Sequence, residues 1–288
     1  MTTLRNPHDQ FDEKLQSAFE VNILAALLED VGTGDLTGML VPNDIRVRAR
    51  VIVREQAVLC GAPWFEGVMT RVDPRIRIHW QHAEGDLMQA NATVCMITGP
   101  ARSLLTAERS ALNFLQLLSG VASATRRHVQ AVEGTAARIL DTRKTLPGLR
   151  LAQKYAVRVG GGDNQRLALY DGILIKENHI AAAGGVAAAL HAARALGSGA
   201  PVQIEVESLD ELNEALDAGA TSILLDNFST AQMREAVAIN AGRALLEASG
   251  GVSMATLRAI AETGVDRISI GALTKDVQAT DYSLRVIG

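Results

Sequence analysis

The sequence predicts an α/β protein in two parts, a mixed α/β segment followed by a parallel α/β barrel or open sheet. Three observations lead there. From about Thr135 onward, short strand-like runs alternate with Ala- and Leu-rich helical runs, and repeated β-then-α units build parallel sheets through right-handed crossovers. Before that point the runs are β-type, separated by Gly-Asp and Asp-Pro turns and bracketed by helical segments. No repeat of fixed wording accompanies the later period, which sets a solenoid aside.

Leu15, Phe19, Ile23 and Leu27 recur every four positions, so an amphipathic helix is expected to end near Gly32. Arg46–Val53 alternates, and Ile76–Trp80 and Ala92–Ile97 follow as strands. Gly99-Pro100 reads as a break, and a helix over Ser103–Ser119 is expected to close at Gly120 as its C′ residue. The later strands are expected at Ala136–Leu140, Gly172–Ile175, Val202–Val206, Ser222–Leu225, Ala244–Ala248 and Arg267–Ile270. Helices are expected at Val186–Leu196, Leu209–Ala218, Thr230–Ala238 and Met254–Glu262. Six strands stop short of a complete eightfold barrel.

Composition narrows the function. The 288 residues are 48% hydrophobic, enough for a sizeable core in one large domain or two smaller ones. Aromatics at 3% and a net charge of −4 argue against nucleic-acid binding, which wants stacking surfaces and a basic field. No apolar run is long enough to span a bilayer, and Met1–His8 does not resemble a secretory signal. Cys60 and Cys95 sit in apolar surroundings without metal-ligand spacing, as reduced buried thiols do, and fit a cytoplasmic protein. Between Arg138 and Lys176, eight Lys/Arg face three acids, a local basic block that suits a small anionic ligand. Within it Arg150, Lys154 and Arg158 read as a solvated helix face.

The strand ends carry the chemistry. Asp141-Thr-Arg-Lys follows the first late strand and Lys176 the second; Glu205, Asp226 and Glu247 mark the next three at intervals of 21 residues, as if in register. In parallel barrels the C-terminal strand ends form one rim, where active sites are built, and charges buried there are costly unless paired or ligand-bound. Ser249-Gly-Gly-Val-Ser, with Ser253 as N-cap, and Gly271-Ala-Leu-Thr-Lys275 offer backbone N–H groups to a phosphate. Gly160-Gly-Gly, read as a flexible loop, delivers Arg166, whose guanidinium can grip a carboxylate by two hydrogen bonds. Arg109 reads from spacing alone as a surface residue. His79, His82, His179 and His191 read as structural, and no nucleophile motif, P-loop or HExxH occurs. Positioning and electrostatics are left to run the chemistry.

Asp141-Thr-Arg-Lys-Thr-Leu-Pro-Gly-Leu-Arg, Lys154-Tyr-Ala-Val-Arg-Val-Gly-Gly-Gly, Leu174-Ile-Lys-Glu-Asn-His-Ile, Glu247-Ala-Ser-Gly-Gly, Glu29-Asp-Val-Gly-Thr-Gly-Asp-Leu-Thr and Ala107-Glu-Arg-Ser-Ala-Leu-Asn together resemble the quinolinate phosphoribosyltransferases, over nearly the whole chain. The resemblance implies an N-terminal α/β sandwich over residues 1–120, with the tail 276–288 beside it. It also implies an incomplete, six- to seven-stranded parallel α/β barrel over 121–275. The implied enzyme is a homodimer with shared sites, using Mg²⁺ and no organic cofactor, and having no nucleic-acid or membrane partner. Its implied reaction joins quinolinate to 5-phosphoribosyl 1-pyrophosphate with loss of CO₂. By motif, Arg109 (from the neighbouring subunit, reversing the surface reading), Arg143, Gln165, Arg166 and Lys176 would meet quinolinate. Thr142, Lys144, Glu205, Asp226, Ser249, Gly250, Gly251, Ile270, Gly271, Ala272 and Lys275 would meet the phosphoribosyl donor. Lys144, Glu205 and Asp226 would be catalytic, with the two acids on the metal directly or indirectly. Gln165 stands where many relatives carry His, and an amide cannot become cationic; the family often has His or Lys near Lys275. Three other readings stay open: a related transferase with a different acceptor, a sugar-phosphate lyase using Lys176 as a Schiff-base amine, and a non-catalytic phosphometabolite sensor, in which Glu205 and Asp226 would have no clear purpose.

Overall fold

A computed structural model describes residues 11–287; the Met1–His8 stretch read for a leader lies outside them. The chain forms two compact units. The first comprises the residues up to Arg126, Thr145–Gly161 and those from Thr274 on; the second comprises Arg127–Lys144 and Gly162–Leu273.

In the first unit the elements are α1 (Glu13–Asp30), β1 (Arg46–Val53), β2 (Ala57–Val58), α2 (Ala62–Val72), β3 (Arg77–Trp80), β4 (Leu87–Met88), β5 (Thr93–Pro100) and most of α3 (Ala101–Ala131). An antiparallel sheet runs β12-β1-β5-β3, where β12 (Tyr282–Val286) brings the C-terminal tail against β1. The alternation of β1 turns Ala49 and Val51 into the core. α1 buries Leu15, Phe19 and Ile23 but leaves Val21, Leu24 and Leu28 more than half exposed on another face.

α4 (Arg150–Val159) belongs to this unit rather than to the barrel, because Ala152, Ala156 and Val157 are part of its core. Lys154 is 1% exposed, so the solvated-face reading fails for it. The expected break at Gly99-Pro100 is the end of β5, and α3 starts on the next residue. Gly120 does not cap α3, which continues to Ala131; a Cβ there would lie 2.3 Å from the Gln278 carbonyl. A mid-helix glycine costs about 1 kcal/mol relative to Ala, and here it permits a close backbone crossing. Gly160 is likewise packed, since a Cβ would fall 2.6 Å from the Ala122 carbonyl. What reads as a flexible loop begins as a tight contact.

In the second unit the strands are β6 (Arg138–Leu140), β7 (Ile173–Ile175), β8 (Val202–Val206), β9 (Ser222–Asp226), β10 (Leu245–Ser249) and β11 (Arg267–Ser269), within a residue or two of expectation. The helices are α5 (Glu177–Ala183), α6 (Val186–Ala195), α7 (Leu209–Asp217), α8 (Thr230–Asn240), α9 (Met254–Ala261) and the short α10 (Ala272–Lys275), whose last two residues fall in the first unit. The sheet is parallel, in the order β6-β11-β10-β9-β8-β7. The last strand lies beside the first, so the sheet curls, and its one opening lies between β6 and β7. There Asp163 bridges Leu140 in parallel, making Asp163–Arg166 a rudimentary seventh stave. This is the incomplete barrel. Among the described residues no helix is long and apolar enough to cross a membrane.

Candidate active site

Parallel pairing sets the heights of the charged residues. Ile175 pairs with Ile204, so Lys176 emerges beside Glu205. Its Nζ donates to both Glu205 oxygens, at 3.0 and 2.8 Å, and the buried carboxylate is thereby matched. Glu205 and Glu247 both align with Leu224, whereas Asp226 aligns with Ser249. The equal sequence spacing therefore does not mean equal height, and the expected register of three acids is corrected. Asp226 stands two residues nearer the rim because β9 is entered earlier relative to its acid.

Glu247 and Asp141 are structural acids. Glu247, 1% exposed, accepts from Gln165 Nε2 and Gln203 Nε2 inside the barrel. Asp141, fully buried, accepts from Asn164 Nδ2 at 2.6 Å and Gln165 N at 2.9 Å, fastening the seventh stave to the end of β6. Arg138 and Asp163 pair lower on the same edge.

The cations are less satisfied. The Nε of half-buried Arg143 is shielded from solvent and has no hydrogen-bond partner. Arg166 donates from Nη1 to the Gly172 carbonyl at 3.0 Å. Its pKa is pulled below the ordinary arginine value, first by burial and then by the charge of Arg143, against the opposing pull of Asp171. An arginine does not lose its proton in a protein, so the two guanidiniums form a positive site that wants an anion. Gln165, expected to meet the acceptor, directs Nε2 to Gln203 and Glu247, and its Oε1 accepts from Arg166 N.

Two loops complete the rim. Gly250 (φ +91°) has no room for a Cβ, which would fall 2.1 Å from Asn227 Oδ1; Gly251 (φ +59°) faces open space. Both need the left-handed region that glycine enters freely. Ser253 is the N-cap of α9, as expected. At Gly271 a Cβ would lie 2.9 Å from Lys144 Cδ and 3.4 Å from Thr142 Oγ1, so its bare backbone lets these side chains approach. Ile270 continues the β11–β6 pairing through its N–H to the Leu140 carbonyl, and Ala272 opens α10. Lys275 falls in the first unit, where it pairs with Asp276 at 2.7 Å. Arg109 lies exposed on α3, also in the first unit.

Sequence reading passed over Asn227 and Gln203. Asn227 holds φ +57°, donates its N–H to the Ser249 carbonyl and its Nδ2 to Asp226, and so joins the acid to the glycine loop. An Asp-Asn pair closing an apolar strand was the available signal, since Asn tolerates left-handed backbone. Gln203, two positions before Glu205, shares its face of β8. His179 is structural as expected: its Nδ1 accepts from Lys176 N at 3.1 Å.

Among the described residues no cluster of three His, Cys, Asp or Glu could hold a metal ion. A cavity of about 620 Å³ in the second unit opens elsewhere, at strand beginnings such as Val202, Ser222 and Arg267.

The chain matches two family models: the N-terminal domain of quinolinate phosphoribosyl transferase over residues 33–119, and its C-terminal domain over 121–285. The structure of the nicotinate-nucleotide pyrophosphorylase from Francisella tularensis is 44% identical, covers 99% of this chain and 98% of its own, and superposes with a TM-score of 0.92. The carboxylating nicotinate-nucleotide pyrophosphorylase of Mycobacterium leprae is 44% identical over 91% of this chain and 95% of its own length. A probable carboxylating nicotinate-nucleotide pyrophosphorylase of Bacillus subtilis is 39% identical over 90% of each. With both domain models matched in order and relatives this similar along almost the full length, the chain belongs to the quinolinate phosphoribosyl transferase family.

Proposed function

We propose that this chain transfers the phosphoribosyl group of 5-phosphoribosyl 1-pyrophosphate to quinolinate and decarboxylates the product. The pyridine nitrogen attacks the anomeric carbon, and pyrophosphate leaves with the bonding electrons. The 2-carboxylate then departs as CO₂, and the ring carbon takes a proton, giving nicotinate mononucleotide. The observation that carries this reading is the guanidinium pair: Arg143 with a buried, unpartnered Nε, and partly buried Arg166, which feels the charge of Arg143. Two carboxylates on adjacent ring carbons answer that charge, whereas a monocarboxylate leaves positive charge unmatched.

Arg143, Arg166 and Lys176 grip the dicarboxylate, with Arg109 reaching in from a second subunit. Lys144 faces the pyrophosphate. Glu205 and Asp226 present negative charge to the ribose as it becomes cation-like. Ser249, Gly250, Gly251 and the Ile270–Ala272 turn cradle the 5′-phosphate, and Thr142 shapes the same pocket. Mg²⁺, when bound with the donor, would be held by Glu205 and Asp226 and supply charge neutralisation for the pyrophosphate. A homodimer is supported by the exposed apolar face Val21, Leu24 and Leu28 of α1, which invites a partner. The free, buried thiols of Cys60 and Cys95 suit a reducing cytoplasm. A Schiff-base lyase finds no support, because Lys176 Nζ is already engaged by both Glu205 oxygens.

The direct test incubates the protein with quinolinate, phosphoribosyl pyrophosphate and Mg²⁺ and measures CO₂ and nicotinate mononucleotide. Both are expected in equal amounts; absence of both from folded protein sinks the assignment. Gly250→Ala drives a methyl group into Asn227 Oδ1 and strains φ. At one to three kcal/mol for such strain, KM for phosphoribosyl pyrophosphate should rise about tenfold, with that for quinolinate nearly constant. Steady-state kinetics in both substrates checks this.

A further inference from the structure

Three side chains from separate staves close a hydrogen-bonded ring across the barrel interior. Gln165 Nε2 donates to both Glu247 oxygens, at 3.0 and 2.9 Å, and to Gln203 Oε1 at 2.8 Å. Gln203 Nε2 donates in turn to Glu247 Oε2 at 2.9 Å. The carboxylate is buried, and its hydrogen bonds come from amides alone among the described residues. The arrangement reaches the site where Gln165 Oε1 accepts the backbone N–H of Arg166 at 2.8 Å.

Arg166 needs such a hold. Its guanidinium is partly buried, feels the charge of Arg143 against it and that of Asp171 for it, and among the described residues is tied by one hydrogen bond, to the Gly172 carbonyl. Arg166, Gln165 and Gln203 also line the cavity of about 620 Å³ that opens toward the strand beginnings. Repulsion on one side and empty space on the other give Arg166 both a push and somewhere to go. The ring stands against that movement. It works best with a carboxylate at its centre: an amide at position 247 would replace one acceptor oxygen by an NH2 that faces a donor of the ring.

We propose that the Gln165–Gln203–Glu247 ring is a positioning device that fixes Arg166 beside Arg143 and so sets the preference for a dicarboxylate acceptor. This rests on the function proposed above. Gln203 and Glu247 touch no substrate in this scheme; they act through Gln165 on Arg166.

The test uses full-length Gln203→Leu and Glu247→Gln. The first replaces an interior amide by a side chain of similar size and keeps the buried charge, the second removes that charge and keeps the shape, so the two load folding differently. With a buried polar contact broken, KM for quinolinate should rise about tenfold, while KM for phosphoribosyl pyrophosphate stays within about twofold. Equal rises in both KM values, a fall in kcat alone, or no change would overturn the proposal. A second readout needs no activity. Phenylglyoxal labelling of Arg166, mapped by peptide mass spectrometry against exposed Arg234 as internal standard, should quicken about fivefold in either variant. If the unmodified enzyme fails to turn over quinolinate, the functional reading falls and the labelling alone decides the ring. An unchanged Arg166 rate then refutes positioning.

Discussion

Arg143→Ala is expected to lower kcat/KM for quinolinate roughly a thousandfold without lowering the melting temperature. Truncating one partner of a buried, hydrogen-bonded charge pair costs about 2–5 kcal/mol, and each 1.4 kcal/mol is about a decade in rate. Most of the loss should appear as a raised KM for quinolinate, because the contact exists in the bound ground state as well as in the transition state. The stability side has the opposite sign. In the free protein Arg143 has a buried Nε without a partner and stands against Arg166. Removing it relieves like-charge repulsion and one unmet donor, so Tm should hold steady or rise. A site that becomes more stable as it loses activity is built for a ligand, not for the fold. Calorimetry and two-substrate kinetics on one preparation decide this. A large fall in Tm together with the lost activity would mean that Arg143 is structural.

The later strands were legible because each is a short apolar run ended by a polar residue or glycine, and strand-end polarity is a local property. What was not legible depends on chain segments far apart. Gly120 looked like a helix C′ residue and is a crossing point for the backbone at Gln278. Lys154 looked solvated on its helix and is buried. The equal spacing of Glu205, Asp226 and Glu247 suggested one ring of acids, but pairing sets Asp226 nearer the rim, and hydrogen bonding makes Glu205 a lysine-matched acid and Glu247 an interior one. Strand register depends on where each strand begins, which identical spacing does not encode. The seventh stave was hidden for the same reason, since glycine-rich Gly160–Arg166 has no apolar pattern and is fixed by Asp141. The glycine loops fared better, because positive φ and close approach restrict the residue type locally.

A mixture of Arg109→Ala and Arg143→Ala subunits, each nearly inactive alone, should recover about one quarter of the unmodified activity if two-fold dimers share their sites. The expectation follows from counting. Random reassociation makes about half of the dimers mixed. In each mixed dimer, the barrel that retains Arg143 faces the α3 helix that retains Arg109, and the opposite site lacks both. One intact site in half of the dimers gives the quarter. If instead Arg109 served the barrel of its own chain, every site would lack one arginine and mixing would restore nothing. Arg109 lies exposed on α3, in the same unit as the exposed apolar face of α1, a placement that fits the shared arrangement proposed above. The experiment co-refolds the two variants with distinguishable tags, isolates the doubly tagged dimer and measures its turnover. Half of the unmodified rate in that purified species supports the shared site, and no activity above either parent dimer excludes it.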